Sequence, residues 1–119
     1  MIAEVLGSGP DLALIPGWGL GSAAWRPLLA PLARHCRVHL VELPGYAGTP
    51  PTAAGFGETA QALLAALPAG VTLCGWSLGG LLALRAAADA PERLGRLILV
   101  GATASFAQRP DWPATRSVR

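Results

Sequence analysis

The residues best suited to chemistry lie in the hexapeptide GWSLGG at positions 75–80, where Ser77 has a glycine two places before it and another two places after it. This spacing fits G-x-S-x-G, the nucleophile elbow that presents a reactive serine on a sharp turn between a strand and a helix. Gly75 and Gly79 would let strand and helix approach closely, and the strained turn would expose the hydroxyl. The N–H of Leu78 would then face a developing oxyanion, so the pattern indicates acyl transfer at Ser77.

A tight turn that only caps a helix would have the same composition, with the Ser77 hydroxyl accepting hydrogen bonds from free amides. The flanking residues favour the catalytic interpretation. The apolar run VTLC at 71–74 is typical of a buried strand, and LGGLLALRAA at 78–87 is typical of a helix. Strand, serine turn and helix in this order are the context that the elbow requires.

A second oxyanion donor is predicted in the peptide Pro-Gly-Trp-Gly at 16–19, because such a donor comes from a loop after an earlier buried strand. Gly17 and Gly19 would let the backbone of Trp18 turn its N–H toward the serine. The Trp18 side chain itself is either an exposed or packing aromatic or a direct substrate contact, and the sequence favours neither.

The hydrophobic pattern predicts the strands and helices that carry these residues. Apolar runs predict strands at 11–15, 37–43, 71–75 and 96–102, and helical spacing predicts helices at 22–35, 56–67 and from 78 to about 90. Ser22 is the predicted N-cap of the first helix, which Pro31 should kink or shorten. The alternation predicts an α/β protein with a mostly parallel sheet of about four strands and helices on both faces, whereas residues after 102 form a polar tail without strand or helix.

Composition narrows the class of protein. The 119 residues are 52% hydrophobic and 13% charged, which predicts one compact domain over residues 1–119. A net charge of +2 is too weak to indicate nucleic-acid binding. The uncharged stretch from Thr59 to Leu84 is long enough for a membrane span, but Pro68 and several glycines interrupt it, so we expect a soluble core and no membrane contact.

The cysteines and histidines predict no metal site. His35, Cys36 and His39 lie close together in sequence but lack the paired ligand spacing of a zinc site. Cys36 and Cys74 lie in or beside apolar segments, and no secretory signal pattern precedes them. We therefore expect reduced, buried thiols in a cytoplasmic protein.

Four peptides together carry a family resemblance: IPGWGLGSAAW, HLVELPGYAGTP, GWSLGGLLAL and PERLGRLILVGATASF. In this order and spacing, from about Leu12 to Trp112, they resemble the first half of an α/β-hydrolase. Gly-Trp-Gly-Leu near the start, Trp76 and the late Asp-Trp-Pro make the chain most similar to the carboxylesterases of biotin synthesis, which remove the methyl ester of pimeloyl-acyl-carrier protein.

The resemblance implies a nucleophile at Ser77, with Trp18 and Leu78 supplying the oxyanion hole and touching the substrate. It also implies an acyl ester substrate on acyl-carrier protein, and no cofactor. Members of the family usually carry histidine where this chain has Pro16, which is expected to alter the oxyanion loop without abolishing it.

The base that a serine nucleophile needs is missing from the pattern. The family order is serine, acid, histidine, yet His35 and His39 both precede Ser77, and neither Asp89 nor Asp111 has the position of the acid. We therefore expect residues 1–119 to be the N-terminal part of one α/β-hydrolase domain that lacks the lid, acid and histidine. Such a chain is expected to be inactive alone, since loss of the triad costs on the order of a millionfold in rate.

Three alternatives remain open at this level. The same scaffold serves lipases and thioesterases. Gly17-x-Gly19-x-x-Ser22 with Glu42 near the end of the next strand imitates a dinucleotide fingerprint, although serine replaces the third glycine. The chain could also be a non-catalytic remnant, whose unfinished sheet would expose an edge to other chains.

Overall fold

The computed structural model describes residues 1–46, 48–107 and 109–112. The chain folds into a five-stranded sheet flanked by helices. The elements are β1 (Ile2–Leu6), β2 (Asp11–Ile15), α1 (Arg26–Ala33), β3 (Arg37–Val41), α2 (Phe56–Ala65), β4 (Val71–Trp76), α3 (Leu78–Asp89) and β5 (Leu94–Val100). Short 3₁₀ turns at Ser22–Trp25 and Pro91–Arg93 precede α1 and β5.

The strand order across the sheet is β1-β3-β2-β4-β5, with β1 antiparallel to β3 and every other pair parallel. The predicted α/β class with a mostly parallel sheet is confirmed, but the sheet has five strands where the sequence predicted about four. The strand that the sequence pattern did not predict is β1. Its residues are largely exposed, so its strand conformation depends on pairing with β3 and not on an apolar pattern.

Helices cover both faces of the sheet, as predicted. On one face, α2 and α3 pack Leu63, Leu82 and their neighbours onto side chains such as Ile15 and Leu73. On the other face, the 3₁₀ turn and α1 contribute Trp25 and Leu29, which pack against strand residues of β2, β3 and β4. Because β2, β3 and β4 are buried on both faces, their sequences consist mostly of consecutive apolar residues.

The start of the first helix differs from the prediction. Ser22 does not cap it, because α1 begins only at Arg26 and Ser22 opens the 3₁₀ turn. The Ser22 hydroxyl donates to the buried carboxylate of Glu42, 2.5 Å away, so a long-range partner holds the group that local pattern assigned to capping. Pro31 lies inside α1, which is short and ends at Ala33, as expected.

Candidate active site

Ser77 lies at the junction of β4 and α3, in the strand-turn-helix context that the sequence predicted. Its backbone has φ 54° and ψ −116°. Among the described residues, Ser77 is the only non-glycine residue with a positive φ. Ser77 occupies the N-cap position of α3, but its side chain makes no capping hydrogen bond. The alternative in which the serine merely caps the helix is therefore wrong, and the hydroxyl is left for another role.

The glycines around Ser77 are required by close packing. A Cβ on Gly75 would lie 2.3 Å from the carbonyl oxygen of Gly79. A Cβ on Gly79 would lie 2.5 Å from the carbonyl oxygens of both Ile15 and Pro16. Backbone atoms cannot move aside as a flexible side chain can, so α3 sits against β2 and β4 only because both positions lack a side chain.

Backbone hydrogen bonds hold the serine turn on both sides. The Ser77 N–H donates to the carbonyl of Val100 at 2.9 Å, and the Ser77 carbonyl accepts from the N–H groups of Gly80 and Leu81 at 2.9 and 3.1 Å. Leu78 is the first residue of α3, where an N–H has no acceptor within its own helix. Its N–H is therefore suited to an oxyanion beside Ser77, at the positive end of the helix dipole.

The loop after β2 passes directly beside the serine. A Cβ on Gly17 would lie 3.4 Å from the Cβ of Ser77. The next side chain, Trp18, is 79% exposed, so it is not a packing residue. The Gly19 N–H donates to the hydroxyl of Tyr46 at 3.1 Å, whereas within the described part of the chain the Trp18 N–H has no acceptor.

A cavity of about 430 Å³ brings these residues together, lined by Trp18, Ser77, Leu78 and Phe106. The cavity walls are thus an exposed indole, an aliphatic side chain and a second aromatic ring around one hydroxyl. Phe106 was missed at the sequence level, because it lies in the segment interpreted as a polar tail. Its only signal there was an aromatic residue among polar ones, which does not specify a position near Ser77.

Two tryptophans support the turn from the opposite face of the sheet. The rings of Trp25 and Trp76 meet edge to face, with centroids 6.3 Å apart and an interplanar angle of 78°. Trp76 also lies beside the loop at 16–19, since a Cβ on Gly17 would be 3.8 Å from its ring. Trp76, next to the serine in sequence, therefore links the loop to the core under α1.

The two histidines are remote from this cavity. His39 Nε2 lies 2.7 Å from Asp11 Oδ1 and the His39 side chain is buried. His39 pairs with Ala13, which pairs with Leu73, four residues before the serine and about 13 Å back along the strand direction. His35 is exposed beyond the end of α1.

The two aspartates that follow the serine are held by arginines. Asp89 accepts from the Arg85 guanidinium one helical turn away, at 2.9 Å. Asp111 pairs with Arg109 at 3.2 Å in a short bridge that ends at Trp112. Neither carboxylate has a histidine as its partner among the residues described, so the structure gives neither the arrangement of a triad acid.

Glu42 is only 3% exposed, and both its carboxylate oxygens lie 3.1 Å from the Ser22 N–H. The glycine loop at 17–21 leads into the 3₁₀ turn and not directly into a helix. Both oxygens of this carboxylate already accept hydrogen bonds from Ser22, which weakens the main support for the dinucleotide-binding alternative.

Other features of the described residues are structural. In the part of the chain that the structure covers, no group of three His, Cys, Asp or Glu side chains could hold a metal ion. None of the helices described there has the length and apolarity to cross a membrane. Cys36 and Cys74 are free thiols, and burial raises the pKa of Cys74 above its ordinary value.

Two curated proteins with similar sequences have the same name. The pimeloyl-(acyl-carrier protein) methyl ester esterase of Xylella fastidiosa is 47% identical over 115 residues, which cover 95% of this chain and 44% of that protein. The same-named protein of Aeromonas hydrophila is 44% identical, covering 92% of this chain and 44% of that protein. The chain thus spans less than half the length of these curated relatives.

A solved structure and a family profile agree with these relatives. An esterase from Exiguobacterium antarcticum superposes with a TM-score of 0.80 at 29% identity, over 92% of this chain and 44% of that one. The profile of the alpha/beta hydrolase fold matches residues 11–117, nearly the whole chain. The parallel sheet, the serine turn and this match together show that the chain belongs to the alpha/beta hydrolase fold family.

Proposed function

We propose that this chain carries the nucleophile of a serine carboxylesterase that hydrolyses an acyl-carrier-protein-linked methyl ester of the pimeloyl type. The observation that carries the proposal is the Ser77 hydroxyl. It makes no capping hydrogen bond, stands on a strained turn and lies in a cavity that Trp18 and Leu78 also line. The substrate rests on the names of the relatives, which are pimeloyl-(acyl-carrier protein) methyl ester esterases.

In the proposed reaction, Ser77 Oγ attacks the ester carbonyl carbon while a base takes its proton. The carbonyl oxygen becomes an oxyanion that accepts hydrogen bonds from the N–H groups of Leu78 and Trp18. Collapse of this intermediate breaks the bond to methoxide, which leaves as methanol with the proton from the base. Water then attacks the acyl-serine, so the products are a free carboxylate, methanol and the regenerated serine.

The base and its acid must come from polypeptide outside the described residues, because His35 and His39 lie away from the cavity. We accordingly propose that residues 1–119 form the N-terminal part of one hydrolase domain and have no esterase activity alone. Gly17, Gly19, Gly75 and Gly79 support the site by permitting its close approaches and its turns. No cofactor takes part in this mechanism.

The location and partners follow from the same proposal. The free thiols of Cys36 and Cys74 fit a cytoplasmic enzyme, where such groups stay reduced. The partner is the acyl-carrier protein that bears the ester, and the net charge of +2 gives no reason to expect nucleic acid. Detection of the protein in the cytoplasmic fraction of its source cells would test the location.

The decisive experiment measures methanol release from pimeloyl-acyl-carrier-protein methyl ester by the protein purified from its source cells. Ser77→Ala is expected to reduce kcat by about five to six orders of magnitude. Ser8→Ala removes an exposed hydroxyl between β1 and β2 and should leave the rate unchanged. Full activity in Ser77→Ala would overturn the proposal, and the intact mass of the active protein would show whether one chain or two supply the triad.

A further inference from the structure

The loop between β2 and the 3₁₀ turn has little packing of its own to hold Trp18 in place. Gly19 and Gly21 have φ of 79° and 64°, and a Cβ on Gly19 would meet no atom within 4 Å. The side chains on either side of Gly19 are exposed, Trp18 by 79% and Leu20 by 54%. The direction of the Trp18 N–H therefore depends on the hydrogen bonds that the rest of the loop makes.

One of these hydrogen bonds comes from the turn after β3. The hydroxyl of Tyr46 accepts the Gly19 N–H at 3.1 Å, across 27 residues of sequence. Tyr46 is itself fixed: its N–H donates to the carbonyl of Leu43 at 3.2 Å, and its carbonyl accepts from the N–H of Thr49 at 2.8 Å. Its ring packs half-buried against the core under α2 and α3.

The second hydrogen-bonded point lies three residues further along the loop, where Glu42 holds Ser22. Glu42 and Tyr46 both follow β3, so one segment holds the loop at two points. The loop at 17–22 is thus held in place by hydrogen bonds to residues outside it. The contact to Gly19 is the nearer of the two to Trp18.

We infer that Tyr46 is a positioning residue for the oxyanion hole, an inference that rests on the function proposed above. By accepting the Gly19 N–H, its hydroxyl fixes the peptide plane between Trp18 and Gly19. That constraint leaves the N–H of Trp18, one residue earlier, to face the reacting oxygen. Tyr46 acts through the loop, since it lines other cavities of the described residues and not the one that contains Ser77.

The kinetic signature of this role is specific. An oxyanion forms only after attack, so a poorly aimed donor weakens the transition state more than substrate binding. Tyr46→Phe keeps the packed ring and removes only the acceptor. It is expected to lower kcat about tenfold, with KM changed by less than about twofold.

The test compares Tyr46→Phe with Thr52→Val in the protein purified as active esterase. Thr52 lies on the same connection, and its hydroxyl accepts from the Ala54 N–H without touching the loop at 17–22. Amide hydrogen exchange at Gly19, measured by NMR relative to Leu14 in β2, reports the contact independently of catalysis. Tyr46→Phe should accelerate exchange at Gly19 about 5- to 10-fold, whereas Thr52→Val should change neither exchange nor kcat.

The outcomes separate this inference from the proposed function. Faster Gly19 exchange with a fall in kcat at constant KM supports the inference. Unchanged Gly19 exchange, or faster exchange with unchanged kcat, overturns it while the esterase activity of the unsubstituted protein stands. Absence of esterase activity in the unsubstituted protein overturns the proposed function first, and the positioning role with it.

Discussion

Glu42 accepts hydrogen bonds from both polar hydrogens of Ser22: the N–H lies 3.1 Å from each carboxylate oxygen, and the hydroxyl lies 2.5 Å from one of them. Both residues are buried. A buried carboxylate is stable only when such donors replace water, so this pair ties the start of the 3₁₀ turn to the end of β3.

Replacing this carboxylate by an amide should destabilise the fold. In Glu42→Gln, one oxygen becomes an NH₂ group that faces the donors of Ser22, and the expected loss is about 2–3 kcal/mol of unfolding free energy. Glu4→Gln is the control, because Glu4 and Arg26 form an exposed pair at 3.5 Å whose expected contribution is below about 1 kcal/mol. Urea unfolding measures both, and equal losses would contradict the importance of the buried contact.

The close packing at the serine turn predicts a large effect of one methyl group. Gly79→Ala would bring a Cβ to 2.5 Å from two backbone oxygens, so we expect a loss of about 3 kcal/mol or more. Gly55 has φ −71° and nothing within 4 Å of its Cβ position, so Gly55→Ala should cost less than about 1 kcal/mol. Thermal unfolding followed by circular dichroism would refute this if the two variants matched.

The strained backbone of Ser77 predicts a gain in stability when the side chain is removed completely. With φ 54° and ψ −116°, a residue with a Cβ is strained, whereas glycine adopts this region freely. Ser77→Gly is expected to be about 1–2 kcal/mol more stable than Ser77→Ala, which keeps the Cβ. Both variants lack the hydroxyl, so denaturant unfolding isolates the strain. Equal stabilities would show that the turn is relaxed.

The two cysteines should differ in reactivity. Burial raises the pKa of the Cys74 thiol, and this residue is only 8% exposed, whereas Cys36 is half-buried. Since the thiolate is the reactive form, iodoacetamide at pH 8 should modify Cys36 first and Cys74 only on unfolding. Mass spectrometry of timed samples checks the order, and early modification of Cys74 would contradict its burial.

The same raised pKa has a consequence for stability. The folded state keeps the Cys74 proton to higher pH than the unfolded state does, so no stability is lost below the ordinary thiol pKa of 9.0. Above that pH the unfolded chain releases its proton first, and stability falls as pH rises. Cys74→Ala should show a shallower fall in urea midpoint above about pH 9 than the unsubstituted chain.

Local pattern predicted the elements with strong periodicity and failed where partners are distant. Strands β2, β3, β4 and β5, the three helices and the serine turn were all predicted near their observed positions. β1 and the role of Ser22 were not, since both depend on pairing with the segment around β3. Phe106 was missed because it lies in the segment interpreted as a polar tail, and predictions on Ala47, Gln108 and 113–119 lie outside the described residues.

The position of Ser77 on a strand-to-helix turn between glycines could be predicted from the amino-acid sequence, because spacing and flanking apolar runs are local properties. The loop at 16–19 was also expected near the serine, but its actual approach and the presence of Phe106 in the same cavity depend on the three-dimensional packing. Gly17 approaches Ser77 and the Gly19 N–H finds the Tyr46 hydroxyl because β2, β3 and β4 are neighbours in the sheet. Contacts across such sequence separations arise from packing of the whole core, which no local pattern encodes.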